Sequence, residues 1–110
     1  MIEEIIQNYL RENAFPCYLS VPEKPSGNFC VLEKTGSGYE DGIFTATLAV
    51  QSYGSSDYAA AKLSHRVVQT MLDADTLPEI VSCTLNTDYN FPDTTRKLPR
   101  YQAVFDVVHY

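Results

Sequence analysis

Residues 43–71 constrain the fold more than any other stretch, because the side-chain period changes once within them. Between Ile43 and Tyr53, Phe44, Ala46, Leu48 and Val50 fall on one face, with Thr45, Thr47 and Gln51 on the other. Extended backbone sends alternate side chains to opposite faces, so this run predicts a strand with one face in a core and a more polar face opposite. Gly54-Ser55-Ser56 then supplies a turn and a capping hydroxyl, and Asp57 adds negative charge to the first turn of a helix. From Asp57 to Leu72 the spacing is helical. Ala60, Leu63, Val67 and Met71 form its buried stripe, with Ala59 and Val68 alongside. Asp73, Asp75 and Pro78 end it.

The remaining segments build on this strand and helix. Ile2, Ile5, Ile6, Tyr9 and Leu10 predict a first helix over 2–13, with Glu3 and Glu4 near its positive end and Arg11 near its negative end. Short strands are expected at 17–21 and 29–35, the second followed by a glycine-rich turn region, 36–42. Residues 79–89 read as a strand with Val81, Cys83, Leu85 and Tyr89 on one face and Ser82, Thr84, Asn86 and Asp88 on the other. A polar connector with two prolines, 90–99, leads to a closing strand at 101–110. Tyr101, Ala103, Phe105, Val107 and His109 share one face of it. Val104, Val108 and Tyr110 make the opposite face partly apolar, so something is expected to cover it. The order α-β-β-β-α-β-β predicts a single α+β domain over 1–110: a mainly antiparallel sheet of about five strands packed by two helices.

Composition narrows the function. A chain of 110 residues buries roughly two-thirds of its unfolded surface, enough for one core. No apolar run approaches the roughly 20 residues that span a bilayer, and no basic stretch leads into an apolar one at the N-terminus, so neither a membrane span nor a secretory signal is expected. The net charge of −6 is the reverse of a general nucleic-acid binder. Cys17, Cys30 and Cys83 are odd in number and widely spaced, which reads as three buried hydrophobes in a reducing cytoplasm.

Enzyme signatures are missing: no GxGxxG, GxxxxGK, GxSxG or HExxH occurs. Gly36-Ser37-Gly38 leads into a strand and so lacks the helix N-terminus that would hold a phosphate. His65 lies on the polar face of the second helix, and Asp106 and His109, three apart on a strand, face opposite ways. Nothing around Cys17 or Cys83 favours pairing with a histidine as nucleophile and base. No enzymatic activity, metal or cofactor is therefore expected. Charge is uneven: residues 1–95 carry five basic and thirteen acidic side chains, whereas 96–110 carry three and one.

Several segments, taken in order along the whole chain, resemble the tail terminator (tail completion) proteins of long-tailed bacteriophages. They are 2–10 (IEEIIQNYL), 33–38 (EKTGSG), 49–54 (AVQSYG), 88–91 (DYNF) and 100–110 (RYQAVFDVVHY). The resemblance implies a structural virion protein, assembled in the host cytoplasm, that forms a ring, usually a hexamer, on the last ring of the tail tube. It would stop tube polymerisation, present a docking surface to a head-completion or connector protein, and pass DNA as cargo through its hole. A head-tail joining or minor tail protein of similar build is the alternative, and a small-molecule binding domain a more distant one. A ring needs two different surfaces per subunit. Val104, Val108 and Tyr110 are candidates for one of them, with Arg96, Lys97 and Arg100 at its rim. Glu40 and Asp41, at the tip of a long hairpin, are candidates for a lumen-facing or tube-facing edge. Loops 22–28, 36–42 and 90–99 are expected to order only on assembly.

Overall fold

Both periodicities are realised where the sequence places them. The computed structural model describes residues 1–25 and 27–110. Its elements are α1 (Ile2–Glu12), β1 (Cys17–Tyr18), β2 (Phe29–Glu40), β3 (Ile43–Tyr53), α2 (Asp57–Met71), a 3₁₀ turn (Ala74–Thr76), β4 (Ile80–Asn90) and β5 (Arg100–His109). The five strands form one sheet in the order β1-β2-β3-β5-β4. β1 runs parallel to β2, and every other pair is antiparallel. The chain is thus an α+β domain with a mostly antiparallel sheet and two helices.

Both helices pack on the same face of the sheet. Ile6 and Leu10 of α1 and Val67 and Met71 of α2 meet Leu32, Leu48, Val50 and Phe105 in one core, all essentially without exposure. Tyr9 joins the two helices by donating its hydroxyl to the Thr70 carbonyl at 2.7 Å. Ser56 caps α2 by accepting from the Ala59 amide at 3.1 Å, as its position in the sequence predicts. Gly54 is required just before that cap, since a Cβ there would lie 2.5 Å from the Ala60 nitrogen. A second, smaller cluster lies on the opposite sheet face, where Phe29, Val31 and Tyr53 are covered by Val21 and Leu98.

Three expectations are corrected. The strand expected at 17–21 pairs only at Cys17 and Tyr18. The turn region 36–42 is mostly strand: β2 continues through Gly36-Ser37-Gly38 to Glu40, and only Asp41-Gly42 turns, both with positive φ (52° and 84°). A two-residue turn of that kind matches the twist of the strands it joins. A Cβ at Gly38 would sit 2.8 Å from the Thr45 hydroxyl, which would have to turn aside. The third correction is to β4. Register shifts between Ile80 and Ser82 and between Leu85 and Thr87 make Val81 and Asn86 extra residues. Each bulge resets the alternation. Between the bulges Cys83 and Leu85 share the core-side face as expected, with Cys83 buried and Leu85 37% exposed. Val81, by contrast, is an exposed extra residue, and Tyr89 pairs with Gln102 on the opposite face from Cys83.

The connector 90–99 is also held more firmly than expected. Asp93 and Leu98 bridge each other through two backbone hydrogen bonds of 3.0 and 3.1 Å. The expectation for loop 22–28 includes Ser26, which lies outside the described residues.

Candidate assembly surfaces

The cysteines are core residues, and two of them, Cys17 and Cys30, are register partners across β1 and β2. All three cysteines are buried and unpaired in disulfides. Burial pushes the Cys17 and Cys83 thiols up to about 11 and Cys30 up to about 12, so none is a thiolate near neutrality. His65 is exposed on α2. His109 stacks on Phe44 with ring centres 5.5 Å apart, on the opposite sheet face from Asp106. Among the described residues, no group of three or more His, Cys, Asp or Glu side chains is arranged to hold a metal ion.

The three cations proposed at an interface rim have different surroundings. Asp93, 4% exposed, accepts from the Tyr53 hydroxyl (3.0 Å), the Arg96 amide (3.1 Å) and the Arg96 guanidinium (3.2 Å). Arg100 stands 3.8 Å from the same carboxylate, donates to Tyr53 and to the Phe91 carbonyl, and lies 4.4 Å over the Phe91 ring. Burial alone would raise the Asp93 pKa. Hydrogen bonds from Arg96 and Tyr53, with the Arg100 charge, outweigh it and hold the carboxyl below its ordinary value. Asp93 and Arg100 thus fasten the connector to Tyr53 at the end of β3, and Arg96 closes the connector on Asp93. Lys97 is exposed at the connector's tip, with φ 56°.

The sheet face away from the helices is only partly covered. Beyond the Phe29–Val31–Tyr53 cluster it presents Thr45, Thr47, Val104, Asp106 and Val108, alternating as expected. Gln51 donates to Gln102 at 2.9 Å, and Gln102 donates to the Tyr89 hydroxyl, forming a polar ladder across β3, β5 and β4. Two strand edges are open as well. Among the described residues, β2 has a strand on its outer side only at Cys30 and Val31. β4 is paired on one side along its 11 residues and carries a single charge, Asp88.

At the far end of the sheet from the connector, the β2–β3 hairpin and the start of α1 form a groove of about 520 Å³. Ile5, Tyr39, Phe44, His109 and Tyr110 line it, with Glu3 and Lys34 on its wall. Tyr110, expected beside Val108, lies past the end of β5 at this groove and is 69% exposed. Glu40 and Asp41 are exposed at the hairpin tip beside it, where the sequence predicts them. Sequence reasoning missed the groove although its signal was present. A two-residue turn at Asp41-Gly42 pairs Tyr39 with Phe44, and their rings lie 4.6 Å apart. The Asp93 hub left no comparable signal, since Tyr53 is forty residues away.

Charge divides along the same axis. Taking the Leu48–Phe105 pair as the midline, Glu3, Glu4, Glu40 and Asp41 lie on the groove side. So do Asp73, Asp75, Glu79 and Asp106, because Ile80 pairs with His109 and His109 with Phe44. Eight of the fourteen carboxylates are therefore on this half, against one basic side chain, Lys34, at the midline. The other six meet seven basic side chains on the connector half.

No family model and no curated protein sequence matches this chain. No helix among the described residues is long and apolar enough to cross a membrane.

Proposed function

We propose that this chain is a tail terminator of a long-tailed bacteriophage, a structural protein that closes into a ring on the head-proximal end of the tail tube. The observation that carries the reading is the open edge of β4, 11 residues long, with exposed Val81, Leu85 and Tyr89, one charge, and neither lysine nor proline. Proteins blunt a permanently exposed edge with lysine, proline or bulges. β4 has only its two bulges, at Val81 and Asn86, and the strand between and beyond them keeps an open row of backbone groups that can serve as a template for another chain. β2 supplies a second, different edge beyond Val31. Two unlike surfaces on one subunit are what a closed cyclic ring requires. The partly apolar stripe of Val104 and Val108 adds a face that a neighbour would bury. In this reading the subunits contact each other through these surfaces. The tube and a head-completion or connector protein bind the two rims, and DNA passes through the hole without being held by an acidic protein.

The test is negative-stain imaging with mass measurement in solution, alone and with purified tail tubes. Rings with an open centre, or a cap seated on the tube end that stops its growth, are expected. Binding to DNA-filled heads but not to tails would replace this reading with the head-tail joining one. A stable two-fold dimer that ignores tubes would overturn both. Lys97→Glu is the cleanest rim variant, since Arg96 and Arg100 are tied to Asp93, and it is expected to weaken assembly without affecting the fold.

A further inference from the structure

We infer that the groove at the hairpin tip is a docking site for a basic protein segment, one that lays an arginine or lysine, flanked by apolar side chains, on the rings of Tyr39 and Phe44. The groove has the size and the mostly apolar walls of a binding cleft. Tyr39 and Phe44 are 65% and 42% exposed although they touch each other, and the row of rings continues to His109. Exposed aromatic faces held side by side attract cations and are frequent anchors of protein contacts. Glu3, on the groove wall, has a carboxylate oxygen without a hydrogen-bond partner, and Lys34 stands 3.8 Å from it. A guanidinium or ammonium group entering beside the rings would bring a donor to that carboxylate after a small side-chain adjustment.

The charge distribution selects the occupant. The groove half carries eight carboxylates and one lysine, and charge complementarity favours a positive partner there. A second copy is a poor candidate. It brings a net charge of −6, and its connector half has only one basic side chain more than it has carboxylates. The inference extends the assignment of Glu40 and Asp41 to a partner-facing edge, but it depends on the groove and not on ring formation.

Two short peptides on a glycine–serine frame test it, one carrying Leu-Arg-Ile-Arg-Leu and the other Leu-Glu-Ile-Glu-Leu. Each is titrated into the full-length, isotope-labelled protein and followed by amide NMR and calorimetry. The arginine peptide is expected to bind, to shift the Tyr39, Phe44 and His109 amides, and to weaken with added salt. The glutamate peptide is expected to leave these amides in place. Tyr39→Ser is expected to lower affinity about tenfold. Because that change risks loosening the hairpin, Glu40→Lys, at an exposed position, serves as a second variant with an effect in the same direction. Equal binding of both peptides, no binding, or shifts gathered on β4 would overturn the proposal. So would groove amides that move with protein concentration alone, which would make a second copy the occupant. None of these results depends on whether rings form, so failure here and failure of the ring reading are separable.

Discussion

Asp93 shows how one residue can reverse the meaning of its neighbours. From sequence, Arg96, Lys97 and Arg100 are a cationic cluster. In three dimensions a single buried carboxylate takes two of the three charges and the Tyr53 hydroxyl. Replacing Asp93 with Asn is expected to cost about 1–3 kcal/mol, because Arg100 is left half-buried without a counter-charge. The pH dependence follows from the direction of the shift. A carboxyl with its pKa lowered in the folded state contributes fully above its unfolded value near 3.8, and the contribution is lost as pH falls through the lower folded value. Chemical denaturation of both proteins should therefore show a stability gap that is constant from pH 7 to about 5 and narrows below about 4. A gap that widened in acid would exclude this role.

At the scale of elements, local signals and tertiary demands separate most clearly at Gly54 and in β4. Gly54 looks like an ordinary turn residue, but the start of α2 lies against the place its side chain would occupy. Gly54→Ala is expected to destabilise by about 1–3 kcal/mol through overpacking, measured as a shift in the denaturation midpoint. A neutral result would mean that the helix start can retreat. The helices, β3 and β5 were all readable from their periods, because each buries one face against a single continuous core. β4 was not. Its bulges at Val81 and Asn86 are fixed by pairing with β5, and an alternation read along β4 alone cannot reveal them.

The whole molecule extends 43 Å along its long axis, with an acidic, aromatic end and a nearly neutral end. This polarity arises because the hairpin tip, the start of α1 and the exit of α2 meet at one end of the sheet. The open β4 edge is the other global feature. Val81→Lys combined with Asn86→Lys is expected to leave the melting temperature within a few degrees, since both are exposed bulge residues, while keeping the protein monomeric where the parent assembles. Light scattering over a concentration series checks it, and undiminished assembly would remove β4 from the interface.

The sequence by itself determined the α+β class, the order of elements, the helix stripes, the cap at Ser56 and the two faces of β3 and β5. All of these follow from contacts within a segment or from one face meeting a core. Tertiary structure alone decided the length of β2, the bulges of β4, the capture of Arg96 and Arg100 by Asp93, and the groove formed by Ile5, Tyr39, Phe44 and His109. Each of those depends on residues far apart in the chain being brought within a few ångströms. Side-chain period records which face is buried, but not which distant partner it meets.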